Sequence, residues 1–163
     1  AVVQRLRSET IDTGGTTVQC DVLETTIHSK EKQVVSTLWY CQTMPPFILK
    51  RVSKSTDGEG KLIHKATSEE LIAADMPHRV LSETMSTAYF RTVETHAAGS
   101  TVTLEIRCMD VPGGVVAHSS KQLDEAGKVI SRSTLELLEY GFEEKLQVVP
   151  RRPLLFRHSR TRR

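Results

Sequence analysis

The sequence predicts a mainly β protein of about eight antiparallel strands that form a curved sheet, a half-barrel or a barrel. Three observations predict this fold class: an internal repeat, apolar side chains that alternate with polar ones, and 32 serine and threonine residues among 163. Serine and threonine suit strands and turns better than helices. The apolar content of 38% is enough for a core, and no apolar run reaches the ~20 residues of a membrane helix.

The internal repeat has an offset of 67 residues. Segment 39–73 aligns without a gap with segment 106–140, and 11 of the 35 positions are identical. Cys41 and Cys108 are one identical pair, and Pro45 and Pro112 are another. Each repeat has too few large apolar residues to close a core of its own, so both are expected to share one domain.

From the N-terminus onward, the predicted strands occur in the same order in both repeats. Residues 2–11 also admit a short helix, and strands are expected near residues 17–28 and, in the second repeat, near 85–95. Residues 74–78 between the repeats are expected to form a short turn because they contain Asp75 and Pro77.

The next strand of each repeat has the alternation of a half-buried strand. Apolar residues occupy every second position of the second repeat, with polar residues between them, and the first repeat has the matching inward set. The second-repeat set is Val102, Leu104, Ile106 and Cys108, and the first-repeat set is Val35, Thr37, Trp39 and Cys41. In the first repeat Val34, Leu38 and Tyr40 make the opposite face apolar as well, so a partner or another segment is expected to cover it.

Each repeat then continues as a meander. A proline-containing turn follows the cysteine, and Val111-Pro112-Gly113-Gly114 is a natural chain reversal. A second strand ends at a hairpin signature, at residues 57–60 and 124–127, and a third strand is expected over residues 61–71 and 128–140.

The domain organisation is a single β domain over residues 1–150, with repeats at about 17–73 and 85–140, and a basic tail over residues 151–163. The tail has six arginines and no acidic residue, and without it the body has 16 basic and 20 acidic residues. Nucleic-acid binding is therefore not expected outside this tail.

The sequence predicts no catalytic residue, metal site or cofactor. Nucleotide, zinc and hydrolase motifs are absent. Cys108, Asp110 and His118 are the most enzyme-like group, but Arg51 stands in the first repeat where His118 stands in the second. Cys41 and Cys108 are expected to be core thiols, and the alternative is a bond between them across a pseudo-twofold axis.

Two functions remain open. The first is a non-enzymatic binding module whose concave face holds an apolar or amphipathic ligand, such as a lipid, against Val35, Trp39, Cys41, Leu104, Ile106 and Cys108. The alternative is a structural or assembly protein with a packed core and a homodimer or partner interface. A cavity distinguishes the two, since only the first function requires one.

The duplicated segments resemble those of bacterial β-rich proteins. The resemblance rests on two segments: Trp39-Tyr40-Cys41 with the prolines that follow, and Ile106 to Val116 with the Val-Pro-Gly-Gly turn. This arrangement of a strand, a turn and a second strand is similar to the one that occurs in the LolA/LppX-like group of lipoprotein and lipid carriers. The resemblance implies an incomplete antiparallel barrel that holds an apolar ligand, and export to the periplasm.

Overall fold

The computed structural model describes residues 1–29, 32–57 and 62–141. These residues form nine strands: β1 (Val2–Thr13), β2 (Thr16–His28), β3 (Lys32–Tyr40), β4 (Ile48–Asp57), β5 (Leu62–Val80), β6 (Glu83–His96), β7 (Gly99–Arg107), β8 (Val115–Leu123) and β9 (Val129–Glu136). The strands form one antiparallel sheet in sequential order from β1 to β9. The predicted curved β sheet is confirmed, with nine strands instead of about eight. The sheet is open, since β1 and β9 are its two edges.

The helix considered for residues 2–11 is wrong, because these residues form β1. Strand β1 pairs with β2 from Val2 opposite Thr26 to Thr13 opposite Thr16, with one bulge between Arg5 and Arg7. Gly14 and Gly15 connect the two strands with φ of 63° and 86°, a backbone that suits a two-residue hairpin turn. The sequence of β1 does not show the alternation of a half-buried strand, because its first seven residues are all exposed.

The repeat offset of 67 residues relates almost every strand to another. Adding 67 to the residue numbers of β3 gives those of β7. The same offset relates β2 to β6 and β4 to β8, and in each of these pairs the bounds differ by one residue at one end. The turns after β3 and β7 also agree. The Cys41 N–H donates to the Phe47 carbonyl and the Cys108 N–H to the Gly114 carbonyl, both at 2.7 Å.

Strand β5 joins the two repeats. Its first part corresponds to β9 and its last part to β1, so one strand of 19 residues ends one repeat and begins the next. The turn predicted for residues 74–78 is therefore wrong, because these residues lie within β5. A bulge between Ala73 and Met76 accommodates Asp75, whose φ is 53°.

Pro77 is tolerated inside β5 for a geometric reason. Strand β4 pairs with β5 only as far as Glu70, so the later part of β5 has a free edge. The Val80–Glu83 pair closes the β5–β6 hairpin and is hydrogen-bonded. Hydrogen-bonded and non-hydrogen-bonded pairs alternate along the ladder, so Pro77, three residues before Val80, belongs to a non-hydrogen-bonded pair and its nitrogen faces away from β6. Proline removes no ladder bond at such a position.

The core consists of two clusters, one in each repeat. The first contains Cys20, Cys41, Leu49, Leu71 and Phe90, and the second contains Val80, Cys108, Val111 and Val116. In the first repeat the sheet curls until the β1–β2 turn meets β5. A Cβ atom on Gly14 would lie 2.9 Å from the Ile72 carbonyl oxygen, so glycine permits this close approach.

The second predicted hairpin is also present. Asp124 Oδ1 accepts hydrogen bonds from the amides of Ala126 and Lys128, and Gly127 has a φ of 79°. Strand β9 ends at Glu136, so the strand predicted for residues 128–140 is too long. The first hairpin turn at residues 58–60 and the basic tail at residues 151–163 lie outside the described residues.

Candidate functional site

An open concavity of about 630 Å³ lies on strands β6 to β9. Its lining combines two apolar side chains with hydroxyl-bearing and basic residues: Arg91, Val102, Leu104, Ser119, Ser120, Lys121, Arg132, Ser133 and Thr134. An apolar surface beside a few polar groups is the usual composition of a small-molecule site.

The strand register puts most of these side chains on one face. Leu104 lies opposite Arg91 on β6 and opposite Ser119 on β8. In the adjacent row, Lys121 lies opposite Val102 on β7 and Arg132 on β9. Directly opposite residues of a sheet project to the same side, so the two apolar side chains and the basic side chains share this face.

Leu104 is an apolar side chain of this concavity that the fold leaves exposed. It is 53% exposed although its strand lies in the middle of the second repeat. Single exposed leucines are common on protein surfaces, but this one lies inside a concavity. A ligand that covers Leu104 would remove this apolar surface from water.

The positive charge of the concavity is concentrated at its β8–β9 side. Arg91 is neutralised on the other side by an ion pair with Glu70 of β5. In the part of the chain that the structure describes, no carboxylate forms an ion pair with Lys121 or Arg132. These two neighbouring cations can therefore accept an anion.

The first repeat does not contain the same set of residues. At the offset of 67 residues, Glu24 replaces Arg91, Thr37 replaces Leu104 and Val52 replaces Ser119. Five other lining positions keep their character, because Val35, Ser53, Lys54, Lys65 and Thr67 correspond to Val102, Ser120, Lys121, Arg132 and Thr134. The combination of Leu104 with Arg91 and Ser119 thus distinguishes the second repeat, and the first repeat supplies natural replacements for these residues.

The six residues predicted to line the ligand site lie in three different places. Leu104 lies in the concavity. Trp39 and Cys41 belong to the first core cluster, and Ile106 and Cys108 to the second. Val35 is half-buried on β3, opposite Lys54 of β4.

Trp39 packs against the first core cluster and has polar neighbours. The Lys50 ammonium lies 4.9 Å from its ring centroid, a cation–π contact. Its indole Nε1 is buried without a partner at hydrogen-bond geometry, and Glu9 is the carboxylate that faces it. The hydrogen bond from Arg7 and the indole N–H together lower the pKa of Glu9.

Cys41 and Cys108 are core thiols, as the sequence predicts, and the alternative of a bond between them is wrong. Cys20, Cys41 and Cys108 are all free and buried. Cys41 and Cys108 lie in separate core clusters, so the structure does not bring them together. The Cys108 thiol contacts Met85 Sδ at 3.7 Å, and His118 lies on β8 between Glu105 and Leu135.

Sequence reasoning missed Arg91, Lys121 and Arg132 as site residues. The predicted site consists of inward apolar residues and cysteines, and it contains no charged residue. A signal was present, because Lys54 and Lys121 are identical in the two repeats and Lys65 and Arg132 are both basic.

No protein-family model, curated protein sequence or solved structure matches this chain. Among the described residues, histidine, cysteine, aspartate and glutamate side chains form no group of three or more that could hold a metal ion. The described segments also contain no helix with the length and apolarity needed to cross a membrane.

Proposed function

We propose that this protein is a non-enzymatic binding module whose ligand is amphipathic, with an acyl chain and an anionic head group. The ligand occupies the concavity on β6 to β9. The observation that supports this proposal is the exposed Leu104 side chain inside the concavity, one row away from Lys121 and Arg132.

The two parts of the ligand meet different parts of the concavity. The acyl chain lies on Val102 and Leu104 and removes their apolar surface from water. Covering a leucine fully is worth about 1.5–3 kcal/mol. The head group binds Lys121 and Arg132, and the hydroxyls of Ser119 and Thr134 supply hydrogen bonds beside it.

The experiment compares two probes of the same chain length. Dodecanoate, kept below its micelle concentration, is titrated into the isotopically labelled protein while backbone amide shifts are followed, and dodecanol is the neutral probe. We expect saturable shifts confined to β6–β9 with dodecanoate and at least tenfold weaker binding of dodecanol. Equal binding of both probes, or shifts spread over the whole sheet, would contradict the proposal.

The first repeat supplies the matched variants. Leu104→Thr introduces the residue of the corresponding position, Thr37, and should weaken dodecanoate binding about tenfold, which corresponds to about 1.4 kcal/mol. Ile27→Thr is the control, because Ile27 is also 53% exposed but lies on β2. If both variants weaken binding equally, the dodecanoate binds without a defined site.

The open edge of β1 favours assembly with a second copy as another function. The Thr13–Thr16 pair closes a two-residue hairpin and is hydrogen-bonded, so the N–H of Thr10 faces away from β2. The repeat offset puts Pro77 at the corresponding position of β5, where it blocks the free edge. The β1 edge lacks this proline and can pair with another strand.

The test of assembly is the mass of the native protein. If the β1 edge pairs with a second copy, native mass spectrometry detects a dimer, and Thr10→Pro converts it to a monomer with little loss of stability. Arg5→Pro is not a suitable control, since a bulge lies there. Thr26→Ser on the neighbouring strand is the control, and it should leave the dimer intact. A monomer at all concentrations would eliminate this function.

A further inference from the structure

Cys20 of β2 and Cys41, the residue that follows β3, occupy matching positions. Asp21 lies opposite Tyr40 in the last pair of the β2–β3 ladder, and the same register extended by one residue puts Cys20 opposite Cys41. The Ser29 N–H donates to the Lys32 carbonyl at 2.9 Å, which makes that pair hydrogen-bonded, and every second pair along the ladder is bonded in the same way.

Because bonded and non-bonded pairs alternate along the strands from the bonded Ser29–Lys32 pair, Cys20 and Cys41 form a non-hydrogen-bonded pair. Cα atoms in such a pair lie ~4.5 Å apart, and their side chains are closer than in a bonded pair. A disulfide requires Cα atoms roughly 4.4–6.8 Å apart. The register therefore predicts a backbone separation that suits a bond between the two sulfur atoms.

The side chains also face each other. Both thiols belong to the first core cluster and are 1% exposed, and each thiol affects the pKa of the other. Cys41 Sγ lies 3.3 Å from the Thr43 hydroxyl.

An open polar concavity of about 400 Å³ lies beside this pair. Cys20 and Thr43 are part of its lining, together with Arg5, Ser8, Gln19, Asp21, Tyr40 and Gln42. A small polar reagent in this concavity therefore lies against Cys20 and against Thr43, the residue whose hydroxyl contacts Cys41 Sγ.

The environments of the two thiols differ. Burial opposes ionisation of Cys41, but hydrogen bonds from Thr43, from the backbone of Met44 and from Cys20 outweigh it and lower the pKa of Cys41. Burial and the neighbouring Cys41 raise the pKa of Cys20 to about 11. Cys41 is thus the thiol that ionises first, and the thiolate is the nucleophile in disulfide exchange.

We propose that Cys20 and Cys41 form a reversible disulfide by exchange with a low-molecular-weight disulfide. The Cys41 thiolate attacks one sulfur of the small disulfide, whose S–S bond breaks and releases a small thiolate. Cys20 then loses its proton and attacks Cys41 Sγ in the mixed disulfide, which releases the second small thiolate. The two cysteine protons end on the two released thiols, and the small disulfide accepts the two electrons.

The second repeat shows which part of this site is specific. Cys41 corresponds to Cys108, but Cys20 corresponds to Thr87, so the second repeat has one thiol at the matching ladder position. The Thr87 hydroxyl instead donates to the Met76 carbonyl at 2.8 Å. Two facing thiols exist in the first repeat only.

The experiment uses the reduced protein in native buffer with bis(2-hydroxyethyl) disulfide. Samples are quenched with acid, unfolded and alkylated, and the disulfides are mapped by peptide mass spectrometry. We expect an intramolecular Cys20–Cys41 bond and an alkylated Cys108. In denaturant all three pairings of the three cysteines should form, so selectivity in native buffer reports the folded geometry. Native disulfides that contain Cys108, or no intramolecular bond at all, would overturn the proposal.

Variants separate the two steps. Cys20→Ser should stop the reaction at a mixed disulfide on Cys41, since the resolving thiol is missing. Thr87→Cys gives the second repeat the same pair, and its new thiol should bond to Cys108 in native buffer. A Cys20→Ser protein that acquires no adduct on Cys41 contradicts the assigned order of attack. The site is distant in the sheet from the concavity on β6–β9, so this result is independent of the dodecanoate titration.

Discussion

Phe47 and Gly114 occupy the same position of the two repeats and have the same left-handed backbone, with φ of 70° and 77°. Each carbonyl accepts the N–H of the cysteine that ends the preceding strand. A left-handed conformation costs an L-residue such as Phe47 roughly 1–2 kcal/mol, and glycine avoids most of this cost. The tertiary fold of the repeat therefore imposes this turn even where the local residue disfavours it.

Gly114→Ala should destabilise the protein by about 1 kcal/mol. A Cβ atom at this position would meet no atom within 4 Å, so the change isolates the cost of the left-handed backbone. Urea unfolding followed by circular dichroism measures it. Gly141→Ala is the control, because that glycine is also uncrowded and has no positive φ. Equal effects of the two substitutions would disprove the backbone explanation.

Gly14→Ala should destabilise the protein by about 2–3 kcal/mol, since it adds a steric clash to the left-handed cost. Its Cβ atom would lie 2.9 Å from the Ile72 carbonyl oxygen, where the β1–β2 turn meets β5. Gly15→Ala is the matched control, with a φ of 86° and open space around it. Urea unfolding of both variants gives the difference, and if they cost the same, the β1–β2 turn does not close against β5 in solution.

A strand with one apolar face, such as β7, is predictable from the sequence. Val102, Ile106 and Cys108 alternate with polar residues whatever the strand order is, so the β7 strand and the turn after it were predictable. Strand β1 lacked this signal, because its first seven residues are exposed. Pro77 was interpreted as part of a turn, since its tolerance depends on where β4 stops pairing with β5.

The candidate site was predictable only through Leu104. Which residues surround Leu104 depends on the register of β6, β8 and β9, and a single sequence does not reveal that register. Lys121 and Arg132 lie far apart along the chain from Arg91 and become neighbours of the same concavity only in the sheet. The Cys20 and Cys41 pair depends in the same way on the β2–β3 register.

Arg107→Met should destabilise the protein by about 1–3 kcal/mol, more than an exposed ion pair and less than a fully buried one. The Arg107 guanidinium donates to Glu69 at 2.6 Å and to Glu105 at 2.8 Å, and it lies 4.3 Å from the Phe90 ring centroid. The substitution leaves the Glu69 side chain, which is 13% exposed, with only the 3.3 Å contact of Arg51.

Arg7→Met is the control for Arg107→Met. Arg7 pairs with Glu9 at 3.1 Å, but its side chain is 69% exposed. Its loss should change the unfolding free energy by no more than about 0.5 kcal/mol. Both values come from urea unfolding at neutral pH, and a control that costs as much as Arg107→Met would refute the importance of burial here.

The stability of the reduced protein should fall in alkaline solution because of Cys20. Burial, together with the charges of Cys41 and Asp21, raises the pKa of Cys20 from 9.0 to about 11. Between these values the unfolded chain has released a proton that the folded protein keeps. The contribution of Cys20 to stability is therefore complete below pH 9.0 and decreases by about 1.4 kcal/mol per pH unit above it.

Cys20→Ser should remove this part of the pH dependence. The measurement is the unfolding free energy at about pH 8 and about pH 10.5 with a reductant present, and the expected difference between wild type and variant is about 2 kcal/mol. Lysine and tyrosine residues also titrate in this range, but they do so in both proteins and cancel in the difference. Cys108→Ser controls for the replacement of a buried cysteine by serine. The alkaline destabilisation does not originate at Cys20 if Cys20→Ser loses as much unfolding free energy between the two pH values as the wild type. The same conclusion follows if Cys108→Ser reduces this loss as much as Cys20→Ser does.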